Sequence, residues 1–325
     1  MSANNPPKQS ASAKKQAVII ATRNRPDDLE RTLRSIARAE SAGDLLVMIV
    51  DGSDPGQVAA NQRVVANLSS LDIDHRLFPG PPSLARQRNA GIHRLPESVE
   101  LVFFLDDDVI LDPEYFRQIT RAFDQHPDIV GVGGYDASIS SQPECSLRQV
   151  SRFAFLLDHP RPGCVLPSGQ ASSPDCADIS DPVNVQWLTG FSMAYRRHVL
   201  EQERFDASLE GYSHYEDRDL SVRISHYGRL VVLPGARLHH RKSPTNRYDS
   251  KQFTYSSLVH IYWFVEKNIQ HPLRKPAFWW ATIGQTLALI VSSKPQKWDA
   301  LRGHLKGIAT ILTRDHALLK SVVKY

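Results

Sequence analysis

The sequence predicts an α/β fold: a mostly parallel sheet covered by helices on both faces, followed by a helical C-terminal extension. Two patterns carry that expectation. Along residues 17–135, short continuous apolar runs alternate with segments of helical spacing, as strands buried on both faces require. Beyond Lys251 the strand signals stop and only helical patterning continues. With 325 residues, 41% of them hydrophobic and 23% charged, the chain can bury a large core, which argues against disorder.

Residues 1–16 are polar, lack an apolar core of signal-peptide type, and read as a disordered leader. AVIIAT (17–22) reads as the first strand. Arg23 to Asp28 form a loop, and Leu29, Leu33 and Ile36 recur at helical spacing. LLVMIV (45–50) runs into Asp51-Gly52-Ser53, a helix-compatible segment spans 56–69, and Asp72 to Leu77 follow. After the stiff turn Pro79-Gly80-Pro81-Pro82, Ser83 opens a helix through Gly91. LVFFL (101–105) is the most apolar strand, and Asp106 begins where it stops. A helix over 113–125 and a strand over 129–132 come next. Gly131 to Gly134 lack the G-x-G-x-x-G spacing of a phosphate loop and read as a turn or close packing. Residues 138–183 are rich in Pro, Ser and Gly, as a long loop or insertion would be. Trp187 to Tyr195 then read as a strand, Glu216 to Tyr227 as a helix and Arg229 to Leu233 as a strand. The predicted units are the leader, a domain over 17–250 with halves at about 17–135 and 136–250, and a basic helical region over 251–325.

Charge is unevenly spread. Residues 251–325 carry 11 Lys/Arg against 3 Asp/Glu, whereas the preceding 250 carry 28 against 32. Within the tail, Phe278, Trp279, Trp280, Ile283, Leu287 and Ile290 are flanked by Arg274, Lys275, Lys294 and Lys297. Residues 274–297 therefore suit either peripheral contact with a membrane interface or packing on the domain. The apolar stretch 277–291 is too short and too polar to span a bilayer. Cys145, Cys164 and Cys176 are odd in number and lack metal-site spacing, which points to a reducing, cytoplasmic setting.

Three consecutive carboxylates, Asp106-Asp107-Asp108, are costly to gather at the end of an apolar strand unless something positive sits there. Alternation along the chain turns Asp106 and Asp108 one way and Asp107 the other, giving a hard-oxygen pair suited to Mg²⁺ or Mn²⁺. Asp51 ends the second strand, where ligands of open α/β sheets bind. Arg86, Arg88 and Asn89 lie between it and the acidic cluster, within reach of a pyrophosphate or base. Glu216 and Asp217 stand at a predicted helix N-terminus, where one can serve as a general base. His239 and His240 follow a predicted strand, and one imidazole can complete the metal site.

The ordered set AVIIATRNRP, VDGSD, ARQRNAGI, FFLDDDVILDP, WLTGFSMAYRR, YEDRDLSVRI and ARLHHRKSP, over about residues 17–245, resembles the family 2 glycosyltransferases. The resemblance implies the GT-A, Rossmann-like fold, a nucleoside-diphosphate-sugar donor, Mn²⁺ or Mg²⁺, and inversion at the anomeric carbon. It further implies that Thr22, Arg23 and Asp51 contact the nucleotide, and that Arg86 and Asn89 lie at the base and ribose. Asp106 and Asp107 would fall on the donor side, with Asp106 and Asp108 on the metal. Gly190 and Phe191 would line the acceptor loop, which Arg196 closes. Asp217 matches the catalytic base, Glu216 its support or an acceptor contact, and His239 or His240 a further metal ligand. A Q-x-x-R-W motif is absent, which favours single addition over polymerisation. The implied acceptor is a saccharide or lipid-linked hydroxyl, in cell-surface polysaccharide or glycolipid synthesis, and no nucleic-acid partner is expected. A sugar-nucleotide nucleotidyltransferase and a non-catalytic nucleotide-sugar-binding module are the alternatives; the first would require a basic glycine-rich loop that the first strand lacks.

Overall fold

The structure is a computed structural model that describes residues 15–139, 146–175, 180–211, 213–243 and 248–322. Its first half alternates strand and helix: β1 (Gln16–Thr22), α1 (Pro26–Arg38), β2 (Leu45–Asp51), α2 (Pro55–Ala66), β3 (Asp72–Leu77), α3 (Leu84–Arg94) and β4 (Leu101–Leu105). These four strands are parallel, in the order β3-β2-β1-β4. Strand alternation divides the core. Val18 and Ile20 face α1, with Leu29, Leu33 and Ile36, whereas Ala17 and Ile19 face α3, with Ala85 and Ile92. Both faces are covered, so β1 and β4 are apolar throughout their centres. The chain leaves β1 towards β2 on one side and β4 on the other, and this switch point opens a crevice beyond Thr22 and Leu105.

The second half comprises β5 (Val109–Leu111), α4 (Tyr115–Gln125), β6 (Ile129–Asp136), α5 (Leu147–Ala154), β7 (Val183–Val185), β8 (Ser192–Arg196), α6 (Arg197–Gln202), α7 (Glu216–Ile224) and β9 (Arg229–His240). The sheet continues β4-β8-β6-β9-β5, with β7 also on β9. β8 runs antiparallel to β4, so the loop entering β8 meets the carboxyl end of β4, and Asp106 N donates to Phe191 O at 3.4 Å. β9 runs antiparallel to β5, which sets His240 opposite Val109. These two reversals bring the later motifs to the acidic turn.

Several boundaries differ from expectation. The strand expected over 187–195 begins only at Ser192, because the preceding loop uses its backbone in the site. β9 continues past Leu233 to His240: Pro234 and Gly235 interrupt the apolar pattern, and the ladder absorbs them as an irregularity near Tyr135. α7 ends at Ile224, three residues early, and α4 starts at Tyr115. The 138–183 stretch contains α5, while Cys145 and Cys176 lie outside the described residues. The glycines over 131–134 serve close packing: a Cβ on Gly131 would stand 2.6 Å from Leu230 and 2.7 Å from Tyr195.

The tail is α8 (Ser250–Asn268), α9 (Arg274–Val291), α10 (Lys297–Thr313) and α11 (Ala317–Val322). Val259, Trp263 and Phe264 of α8 are buried in the same core as Leu188, Tyr195 and Leu220. α10 crosses α8 closely, with Thr254 Oγ1 donating to Ala300 O at 2.8 Å. Among the described residues no helix is long and apolar enough to cross a membrane.

Candidate active site

β4 ends in the tight turn Asp106-Asp107-Asp108 before β5. Asp107 points back beneath β1, accepting from Thr22 Oγ1 at 2.7 Å and Arg25 Nη1 at 3.0 Å. Burial pushes its carboxyl up to about 7, against the opposing pull of Arg25 and Thr22. Asp108 turns the other way and accepts from Ser243 N at 2.8 Å. Its Oδ1 lies 3.2 Å from His240 Nε2 yet is buried without a well-formed hydrogen bond. Burial opposes ionisation of Asp108, but His240, Ser243 and Arg25 outweigh it and hold the carboxyl below its ordinary value. His240 moves the opposite way: burial disfavours its charge, but Asp108 and Asp106 raise it. Ligand atoms of Asp106, Asp108 and His240 all lie within 4.8 Å of one another. Two carboxylates and an imidazole, one carboxylate oxygen orphaned, fit a divalent cation. His239, one residue earlier on β9, is exposed on the opposite strand face and takes no part.

The second acidic group comes from α7. Tyr215 adopts φ +71°, a left-handed turn that starts the helix, so Glu216 and Asp217 occupy its first turn. Asp217 Oδ2 accepts from Gly190 N at 2.9 Å, which fixes the 187–191 loop against the helix. Burial raises the carboxyls of both Glu216 and Asp217. Arg88, 1% exposed on α3, joins the two acidic groups: it donates to Glu216 Oε1 at 2.8 Å, Asp106 Oδ1 at 3.0 Å and Gly190 O at 2.6 Å. A Cβ on Gly190 would be tight, standing 3.1 Å from Glu216 and 3.3 Å from Asp217, so both side chains would have to shift slightly to admit it.

Two cavities meet at Asp106 and His240. One is lined by Thr22, Arg23, Arg25, Gln87, Asp107, Asp108 and Tyr248. The other, about 340 Å³, is lined by Trp187, Gly190, Phe191, Glu216, Asp217 and, from α8, Phe253 and Ser257. Thus Thr22, Arg23, Asp106, Asp107, Asp108, Gly190, Phe191, Glu216, Asp217 and His240 come together. Three expected nucleotide contacts do not. Asp51 is spent on Ser53 N, Asn61 and His75 at 2.9 to 3.0 Å. Although burial opposes its charge, those hydrogen bonds hold it below its ordinary value. Arg86 donates to Ala207 O, and Asn89 exchanges two hydrogen bonds with Phe205, so both brace the 205–207 segment. Arg196 caps the carbonyls of Phe123 and Ile129, away from the site. Arg25 was not singled out from the sequence; Arg88 was, with Arg86 and Asn89, as a contact for a pyrophosphate or base, and the structure sets it between the two acidic groups.

The family described as "Glycosyltransferase like family 2" matches residues 14–257. The chain belongs to this family. No curated protein matches it. Among solved structures, it is similar to the mannosyltransferase PcManGT from Pyrobaculum calidifontis in complex with GDP-Man and Mn²⁺, with 14% identity, TM-score 0.56, and 93% of this chain and 88% of that chain covered. It is also similar to GalNAc-T7 with UDP, GalNAc and Mn²⁺, at 15% identity and TM-score 0.62, covering 98% of this chain and 62% of that one. A third is TarS 1-349 of S. aureus, at 16% identity and TM-score 0.52, covering 95% and 87%. These likenesses establish the GT-A fold. The protein is a glycosyltransferase, and the nucleotidyltransferase and binding-module alternatives fall away.

Proposed function

We propose that this glycosyltransferase moves a sugar from a nucleoside-diphosphate donor to an acceptor hydroxyl with inversion, in synthesis of a cell-surface polysaccharide or glycolipid. The observation that supports it best is the meeting of two cavities at one point, metal-type ligands on one side and a buried carboxylate pair on the other. Residues 17–135 hold the donor, through Thr22, Arg23 and Arg25, and residues 136–250 the acceptor, through Gly190 and Phe191. Asp106, Asp108 and His240 would hold Mn²⁺ or Mg²⁺, which would supply positive charge to offset that of the leaving diphosphate. Asp217 accepts the proton of the acceptor hydroxyl. The hydroxyl oxygen bonds to the anomeric carbon as the bond to the phosphate oxygen breaks on the opposite face, and Glu216, held by Arg88, orients the acceptor. The raised carboxyl of Asp217 suits a base, because proton affinity increases as burial destabilises the charge. PcManGT and GalNAc-T7, both solved with Mn²⁺, support the cation assignment by analogy of fold.

Titration calorimetry with UDP or GDP, with and without Mn²⁺, tests the reading. Nucleotide binding by the wild type should require the metal, and Asp108→Ala should lose it. Metal-independent binding of equal strength in both would overturn the assignment. A panel of nucleotide-sugars screened for metal-dependent hydrolysis then identifies the donor.

A further inference from the structure

α9 and α10 are joined by five residues, 292–296, and meet at Thr286 and His304, as the arms of an antiparallel hairpin do. Each uses part of its surface inward: Ala277, Phe278 and Ala281 on α9, and Ala300, Gly303 and Ile311 on α10. The outward side of α9 repeats Trp280, Ile283, Leu287 and Ile290 at steps of three and four residues, each 46–50% exposed. α10 exposes Trp298, Leu305 and Leu312 at steps of seven. Thr286 meets His304 at 3.1 Å across the pair. In an antiparallel pair the residues that follow two facing residues turn to the same side, so Leu287 and Leu305 share one face. Eight of the fourteen large apolar side chains exposed among the described residues sit on these two helices, which makes a patch and not a scatter. α5 extends it: Trp280 Nε1 donates to Ala154 O at 2.8 Å, and α5 exposes Leu147 and Val150.

Charge says what covers the patch. Lys294, Lys297, Arg302 and Lys306 lie on or beside the hairpin, and Lys297 rests 5.1 Å over the Trp298 ring. Residues 251–325 carry a net +8, opposed to the acidic remainder. A second copy laid on this face would bring two basic tails together, whereas an anionic lipid surface complements the charge and accepts the tryptophans at headgroup depth. We propose that α9 and α10 dock this glycosyltransferase on an anionic membrane, lying in the interface without crossing it. Docking also brings the domain that carries the acceptor cavity to the bilayer, with α10 between that cavity and the lipid. α10 packs on the start of α8 through Thr254 and Ala300, and Phe253 and Ser257 of that same segment line the cavity. The acceptor class that fits is a saccharide carried on a lipid; this last step rests on the proposed function, and the docking itself does not.

Co-sedimentation of the full chain with vesicles of phosphatidylcholine plus phosphatidylglycerol, against phosphatidylcholine alone, tests docking. The wild type should sediment with the anionic vesicles and remain soluble with the neutral ones. Lys294→Gln with Lys297→Gln should lower partition by roughly twenty-five-fold, at about fivefold per basic side chain near an anionic surface. Ile283→Glu with Leu287→Glu should abolish it. Both pairs are solvent-facing, and unchanged Mn²⁺-dependent nucleotide binding by calorimetry confirms that the variants are folded. Equal sedimentation with both vesicle types, or none with either, overturns the proposal. So does a wild-type dimer in light scattering that Ile283→Glu with Leu287→Glu dissociates, since the face then belongs to a second copy. Loss of nucleotide binding in the wild type would sink the donor reading and leave docking untouched.

Discussion

Arg88→Met removes the guanidinium that holds Asp106, Glu216 and the Gly190 carbonyl together at 2.6 to 3.0 Å. Methionine fills much of the same volume, so the main loss is charge. Breaking a buried ion pair from one side costs about 3–5 kcal/mol, because the surviving carboxylate stays desolvated without a partner. Against a typical total of about 5–15 kcal/mol, the variant should fold but with a clearly lowered urea midpoint. The sign of the pH dependence follows from Glu216. Burial already raises its carboxyl well above the ordinary value, and Arg88 opposes that rise. Without Arg88 it rises further, so the variant takes up a proton on the acid side and recovers stability there, then loses it as pH increases through the raised value. Urea unfolding of both proteins with chelator present, at about pH 7.5 and about pH 5.5, should therefore show a gap that narrows on acidification. A gap below about 1 kcal/mol at the higher pH, or one that widens in acid, would refute the argument that Arg88 offsets the buried Glu216 and the half-buried Asp106.

Asp217→Asn should leave Mn²⁺-dependent nucleotide binding intact while transfer slows by roughly 10²–10⁴-fold, measured as product formed per enzyme; normal turnover removes Asp217 from the base role. Gly190→Ala forces a methyl within 3.1–3.3 Å of Glu216, Arg88 and Asp217. It should lower kcat by about tenfold or more through displacement of those groups, at a strain of ~1–3 kcal/mol, with nucleotide affinity unchanged. His260 is buried, its Nδ1 3.1 Å from His214 O, and burial pushes it down to about 4. A depressed histidine contributes stability that is complete above its unfolded value of about 6.5 and is lost as pH falls towards 4, up to ~3 kcal/mol. His260→Gln should flatten that acid slope, with the remainder carried by His214, also pushed down to about 4; identical slopes in urea unfolding across that window would sink the assignment.

The parallel half of the fold was legible because its strands are buried on both faces and so read as unbroken apolar runs, LVFFL above all. The acidic turn was legible for a related reason: three charges against such a run require compensation. Arg88 was named for a pyrophosphate or base, but its pairing with acids could have been read by the same logic. Ala85, Arg88 and Ile92 recur at the spacing of one helix face, and a charge on an apolar face must be paired. Position by position comparison with a motif pointed instead to Arg86 and Asn89, which brace a loop. The histidine choice depended on strand length. Ala236, Leu238 and His240 share one side of β9, so a strand known to reach 240 selects His240 by parity, but Pro234-Gly235 hid that continuation. The 187–191 loop could not be told from a strand, because what keeps it irregular is a long-range bond from Gly190 N to a carboxylate on α7.

The distribution of charge around the site also bears on the order in which ligands arrive. Asp107 is matched by Arg25, and Asp106 with Glu216 by Arg88. Asp108 retains an oxygen that accepts no well-formed hydrogen bond, and behind His240 lie two further buried acids, Asp136 and Asp175. Burial, reinforced by the Asp136 charge, pushes Asp175 up to about 7, and Asp136 accepts from His240 N at 3.2 Å. The local field is therefore negative where a diphosphate would have to sit. Under the proposed function, a nucleotide alone meets repulsion that Arg23 and Arg25 offset only in part, whereas a dication alone meets two carboxylates and an imidazole whose ligand atoms lie within 4.8 Å of one another, close enough to share one ion. Binding should then be ordered, cation first or both together: in single-ligand titrations the cation should bind while the nucleotide alone binds weakly, and by linkage each ligand should strengthen the other by the same factor. The same negative field would favour release of the anionic product once a bound cation had left, because the acids that attract the cation repel the diphosphate.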